Sequence, residues 1–211
     1  MNTKKIAVIL LVCAMSFSTL ISAQTKYDSV FKEAKKGNAA KQAELGDLYL
    51  NGNGVEKNYQ LAREWYKKAA DAGNAEGQCN YGYLYEKGLG VERDNEEAIK
   101  WYRKSAAQGF ARCECNLGYM YENGSGTNVD YEQALKWYQK STESNYDYGQ
   151  LNVGRMYENG YAVSRDSVEA IRWFLKAAKN GNHVAQGKLG WLYEHGGGNI
   201  KRDTAEALRW Y

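Results

Sequence analysis

Apolar side chains recur along this chain with helical spacing inside a longer period. In the stretch Leu117-Gly118-Tyr119-Met120-Tyr121-Glu122 a glycine sits among large apolar residues, and Trp137-Tyr138 follows. The same phrase returns every 36 residues, with its glycine at Gly46, Gly82, Gly118, Gly154 and Gly190 and its second tyrosine at Tyr49, Tyr85, Tyr121, Tyr157 and Tyr193. A fixed period of this size predicts stacked supersecondary units, none of which can bury its apolar face alone. Within a unit, Tyr81, Leu84 and Tyr85 fall on one face of a first helix. A glycine-rich loop, Lys87-Gly88-Leu89-Gly90-Val91, follows, and then a second helix with Ala98-Ile99, Trp101-Tyr102 and Ala106 as its buried stripe. Glycine in a helix interior costs about 1 kcal/mol relative to alanine. Its return in every unit predicts that the two helices approach too closely there for a side chain.

The pattern divides the chain into a lone capping helix at 24–37, with Tyr27, Val30, Phe31 and Ala34 at helical spacing, and repeats at 38–73, 74–109, 110–145, 146–181 and an incomplete 182–211. The second helices open on Asp94, Asp130, Asp166 and Asp203, each followed three residues later by Glu97, Gln133, Glu169 or Glu206. That order predicts four capping boxes, in which the acid accepts from first-turn amides and the later side chain reaches back. Gly37, Gly73, Gly109 and Gly181 suit a left-handed helix end, and Asn145 takes that place once. One extra residue in the Gly196-Gly197-Gly198 loop moves Trp210-Tyr211 to an offset of 37 from Trp173-Phe174. Tyr211 therefore falls in mid-helix, either because the chain continues or because its last helix is poorly capped.

Composition agrees with an all-α protein, since the 211 residues include no proline. The formal net charge is +3, and +1 without Lys4 and Lys5, with no run of basic residues. Nucleic acid is therefore not an expected partner. Residues 1–23 have the order of a secretory signal, with Lys4 and Lys5, an apolar run from Ile6 to Phe17, and Ser22-Ala23 at the end. The run is too short to span a bilayer, so the expectation is export to a periplasm, cell envelope or extracellular space, with Gln24 as the mature N-terminus and no membrane span afterwards. Val12 before Cys13 speaks against lipid modification.

Catalytic chemistry finds little support. His183 and His195 are the only histidines, neither in a His-Glu-x-x-His pattern, and Cys79, Cys113 and Cys115 form no Cys-x-x-Cys pair. Ser29-Val30-Phe31-Lys32 matches a Ser-x-x-Lys string without the companion motifs of penicillin-recognising enzymes. No catalytic residue, metal or cofactor is expected. The glycine-rich loops follow a helix C-terminus, whose carbonyls repel phosphate. The column Glu86, Glu122, Glu158 and Glu194 reads as solvated helix-end residues, and Asn123-Gly124-Ser125 as a turn. Helix spacing of about 8 to 10 Å predicts three free thiols.

The phrases Leu-Gly-x-Leu-Tyr-x-x-Gly, Gly-Val-x-x-Asp-Tyr with its variants, and Ala-x-x-Trp-Tyr-x-x-Ala-Ala resemble the Sel-1-like repeat family, relatives of tetratricopeptide repeats, from Lys26 to Tyr211. The resemblance implies a right-handed superhelical solenoid of antiparallel helix pairs whose first helices line a concave surface for a protein or peptide. It departs from the cysteine-rich branch that staples each repeat with a disulfide, which puts that branch's weak penicillin binding in doubt. Helical periodicity assigns two rows to the groove: Asn80, Asn116 and Asn152, and Tyr83, Tyr119, Arg155 and Trp191. Asparagine donates and accepts at once, as a peptide backbone requires, and aromatics and arginine are the usual anchors. The polar alternative is that the amides only fill space between helices. The expected activity is that of an exported, monomeric adaptor without catalysis; the competing one is a cell-envelope enzyme or binder acting on wall fragments or β-lactams.

Overall fold

Consecutive helices pack on one another within each of two compact units of the computed structural model, which describes residues 25–211. The signal-like stretch 1–23 and Cys13 lie outside the described residues. The first helix, α1, is helical over 25–35. Ten more follow: α2 (Ala39–Asn51), α3 (Tyr59–Asp71), α4 (Ala75–Lys87), α5 (Asn95–Ala106), α6 (Ala111–Asn123), α7 (Tyr131–Thr142), α8 (Asp147–Asn159), α9 (Ser167–Lys179), α10 (His183–His195) and α11 (Thr204–Trp210). No β-strand is found among the described residues, only an isolated bridge between Gly197 and Ile200. The fold class is an all-α helical solenoid. Two compact units divide the chain, one ending at Asp94 and the other running from Asn95 to Tyr211.

In the first unit, α1 packs Val30 and Ala34 against Leu45, Leu48 and Trp65, so the lone helix covers the apolar edge of α2 and α3. The Tyr27 and Tyr49 hydroxyls close this cap at 2.8 Å. In the second unit each helix packs on the next from α5 to α11, and α6 also touches α8. The cores repeat: Tyr138 with Val153 and Met156 in one cluster, Phe174 with Ala177 and Leu189 in the next.

The recurrent glycine is explained by what faces it. A Cβ at Gly46, Gly118, Gly154 or Gly190 would lie 2.4 to 2.7 Å from a ring carbon of Tyr66, Tyr138, Phe174 or Tyr211 respectively. In α2, α6, α8 and α10 the glycine thus rests on the second-helix aromatic. The offset loop before α11 preserves this contact, because Tyr211 takes the place that Phe174 holds one repeat earlier.

Only half of the expected capping box forms. Asp130, Asp166 and Asp203 accept from first-turn amides. Their own N–H groups, however, donate to the carbonyls of Tyr121, Tyr157 and Tyr193, closing each helical hairpin. Glu169 and Glu206 have no donor left to reach for and pair with Arg172 and Arg209 instead. The second-helix ends follow expectation, with φ of 91, 81, 77 and 92° at Gly37, Gly73, Gly109 and Gly181 and 55° at Asn145.

The thiols depart from expectation. Cys79 and Cys113 are both disulfide-bonded, and Cys115 is free and buried. Axis separation is a poor guide to bridging, because Cα atoms stand about 2.3 Å off each axis and facing ones come far closer than the axes do. Burial pushes the Cys115 thiol up to about 12, against the opposing hydrogen bond from Asn152. Without reductant, alkylation of the denatured chain should label Cys115 and neither Cys79 nor Cys113, and the native chain should react slowly at Cys115. Peptide mass spectrometry reads this directly, and label on Cys79 or Cys113 would contradict the linkage.

Candidate binding face on the first helices

Three of the seven expected groove residues lie on the inter-helix seam. In the first unit, Asn80 is buried at 6 % exposure and its Nδ2 donates to Asp47 Oδ1 at 3.1 Å. The same oxygen accepts the Tyr66 hydroxyl at 2.6 Å. Tyr83, also on α4, is half-buried with Lys87 over its ring. In the second unit, Asn152 Nδ2 donates to Cys115 Sγ at 3.4 Å and its Oδ1 accepts from Arg155 Nη1 at 3.0 Å. Arg155 Nη2 donates to Glu122 Oε1 at 3.1 Å. An amide has two N–H groups and two acceptor lone pairs, so Asn152 keeps one of each after these bonds. Asn116 is half-buried and makes no side-chain hydrogen bond among the described residues.

The remaining anchors are open. Tyr119 is 47 % exposed and Trp191 54 %. Reading each first helix at i, i+4, i+7 and i+11 collects one face: Arg112, Asn116, Tyr119 and Asn123 on α6; Tyr148, Asn152, Arg155 and Asn159 on α8; Val184, Lys188, Trp191 and His195 on α10. Tyr148 and Val184 are exposed as well. The Trp191 ring stacks on His195 with centroids 4.8 Å apart, which limits the positions the indole can take. Sequence reasoning missed Tyr148 and Val184, although the period carries them into the same row as Arg112.

Glu86 and Glu122 of the glutamate column are not the solvated residues that were expected, whereas Glu194 is exposed. Glu122 accepts the Tyr138 hydroxyl at 2.6 Å as well as Arg155, and its side chain is only 10 % exposed. Glu86 is buried beside Lys87. Where the second-helix tyrosine becomes Phe174, which has no hydroxyl, Glu158 is instead held by Lys188 at 2.6 Å. Glu194 accepts from the Tyr211 hydroxyl at 2.9 Å. Glu122, Glu158 and Glu194 therefore tie α6, α8 and α10 to a partner helix or to the next repeat. Among the described residues, no group of three or more His, Cys, Asp and Glu could hold a metal ion, and no helix is long and apolar enough to cross a membrane.

The Sel1 repeat model matches residues 42–74, 75–110, 111–146, 147–182 and 183–211. A Sel1 repeat protein from Oxalobacter formigenes is similar in structure, with a TM-score of 0.77 and 34% identity over 95% of this chain and 79% of that one. The protective antigen c5321 of uropathogenic Escherichia coli, which has an SLR fold, gives 0.75 and 36% identity over 88% of this chain. This chain spans 39% of the length of c5321. The immunity protein Pa5087 from Pseudomonas aeruginosa shares the fold at 20% identity, with a TM-score of 0.59 over 88% of this chain and 66% of that one. No curated protein matches the sequence.

Proposed function

Because the chain belongs to the Sel1 repeat family and is a helical repeat scaffold, we propose that it is an exported adaptor that binds an extended protein segment across the open face of its first helices. The observation that carries this reading is the face on α6, α8 and α10, where Tyr119, Tyr148 and Trp191 stand exposed around the Asn152–Arg155 pair. Exposed aromatics on rigid helices are typical binding anchors, and they lose little conformational entropy on contact. The seam residues add register. Asn152 presents one donor and one acceptor, the pairing an extended backbone offers, while Glu122 holds Arg155 in place. The disulfide linkage of Cys79 and Cys113 supports export, since such bonds persist in oxidising compartments.

Affinity capture from the envelope extract of the native host, with the mature chain as bait, tests this reading. Tyr119→Ala with Trp191→Ala should cut capture of the principal partner by about tenfold or more, since a single anchor is worth about 2 kcal/mol. Asn152→Ala should weaken it several-fold, the effect of about 0.5 to 1.5 kcal/mol. Helicity and Tm should stay near the parent for the aromatic pair. Undiminished capture by that variant would move the binding surface off this face.

A further inference from the structure

One position in the first helices breaks an otherwise regular pattern and opens a notch beside it. Near the start of each first helix stands Gln42, Gln78, Glu114, Gln150 or Gln186, 36 residues apart. Three of the glutamines perform the same task. Gln42, Gln78 and Gln186 donate Nε2 to the carbonyls of Ala34, Ala70 and Ala178, eight residues earlier, at the end of the preceding helix. Glutamate at 114 cannot donate, and there Lys140 substitutes: its Nζ reaches the Ala106 carbonyl at 3.3 Å and Glu114 Oε1 at 3.1 Å. Glu114 is 2 % exposed, so this is a carboxylate seated inside the repeat junction.

The fourth repeat has neither arrangement. Gln150 is 3 % exposed, yet its Nε2 makes no hydrogen bond among the described residues. Its Oε1 instead accepts from Asn180 Nδ2 at 2.9 Å, and Asn180 also donates to the Asn145 carbonyl at 3.2 Å. Lys176, the counterpart of Lys140, has no carboxylate partner; its ammonium lies over the Trp173 ring at 4.0 Å. Around these groups lies an open notch of about 370 Å³, lined by Gln150, Trp173, Lys176, Lys179 and Asn180 together with Thr142 and Asn145. Lys179 stands where the previous repeat has Glu143, so the notch is the more basic of the two junctions.

We propose that this notch binds a carboxylate, the ligand's oxygens taking the place that the Glu114 side chain fills one repeat earlier. Gln150 Nε2 and the Lys176 ammonium donate to it, Lys179 adds a second cation, and Trp173 walls the apolar body of the ligand. An ammonium and an amide donor lining one notch can both hydrogen-bond a carboxylate there, the bond from the ammonium being charge-assisted, and Gln150 Nε2 meets the ligand at the notch wall. The chemistry suits an acidic sugar or the C-terminus of a peptide equally. It is separate from the open face of the first helices and does not depend on it.

Titration of the ¹⁵N-labelled mature chain tests the site through the Gln150 side-chain amide and the Trp173 indole signals. The probes are sodium glucuronate with glucose as its neutral control, and N-acetyl-alanyl-alanine with its C-terminal amide as control. One or both carboxylates should shift both signals saturably while the neutral controls do not; which one acts identifies an acidic sugar or a peptide terminus. Lys176→Ala should weaken the response by about tenfold or more, as expected for loss of a charge-assisted bond. Gln150→Glu should abolish it while preserving helicity and Tm, because it rebuilds the Glu114–Lys140 arrangement with the protein's own carboxylate. Absence of any shift with both carboxylates, equal shifts with the neutral controls, or an undiminished indole response in Gln150→Glu would each overturn the proposal.

Discussion

Gly118→Ala should lower stability by about 2 kcal/mol, whereas Gly187→Ala, also inside a first helix, should raise it by about 0.5 to 1 kcal/mol. Both substitutions bring the same gain in helix propensity. They differ in what the new methyl meets. At Gly118 it would lie 2.5 Å from Tyr138 Cδ1, and the ring is fully buried with its hydroxyl held by Glu122. The ring cannot turn aside without breaking that bond, so α6 and α7 must separate. At Gly187 nothing lies within 4 Å. Urea unfolding of the two variants beside the parent decides the matter. A midpoint that rises for both would show that the glycine column is not set by helix approach.

This contrast also marks what the sequence can disclose. The period, the helix pairs, the apolar stripes and the left-handed ends at Gly37, Gly73, Gly109, Asn145 and Gly181 are local properties, set by spacing and backbone sterics. The glycine column belonged with them because a costly residue at a fixed place in each unit needs a packing reason. Glu122 was misread because its partners are remote: Tyr138 is 16 residues away and Arg155 33. A carboxylate near a helix end looks solvated until the neighbouring repeat is in place. Its replacements do carry a trace of the coupling, since Phe174 without a hydroxyl coincides with Lys188 on Glu158.

The two halves of the groove rows separated for a similar reason. Tyr119 and Trp191 are exposed, but Asn80 and Asn152 bond across to a neighbouring helix. Periodicity places a residue on a face of its own helix and is silent about where that face meets the next. The same limit applies to the cysteines. Which cysteines are disulfide-bonded, Cys79 and Cys113 but not Cys115, depends on helix register, which a 36-residue period does not determine. Gln150 was invisible for the opposite reason, because its neighbours in the column have the same amide and differ only in what it touches.

Glu122→Ala should destabilise the chain by about 3 kcal/mol, the largest loss expected from any single polar residue here. The carboxylate joins a first helix to its own second helix through Tyr138 and to the following repeat through Arg155. Removing it leaves a buried phenol without an acceptor and a guanidinium without its counter-charge. Tyr138→Phe removes only the phenol and should cost about 1 to 2 kcal/mol. In the Phe background, Glu122→Ala should therefore cost about 1 kcal/mol less than it does alone, and a double-mutant cycle reads this coupling. An additive cycle would mean that the two groups stabilise the fold independently. The pair also leaves a signature at high pH. Burial first, and then the Glu122 carboxylate, raise the Tyr138 phenol far above its ordinary value of 10.0. Burial likewise pushes Tyr49, Tyr81 and Tyr146 up to about 12. Above about pH 10 the unfolded chain releases phenolic protons that the folded chain retains, so this contribution is complete below pH 10 and is lost as the pH rises. Each such tyrosine steepens the decline by about 1.4 kcal/mol per pH unit. Between pH 10 and 12, Tyr138→Phe should decline less steeply than the parent by one proton, and equal slopes would show that the phenol ionises in the folded chain.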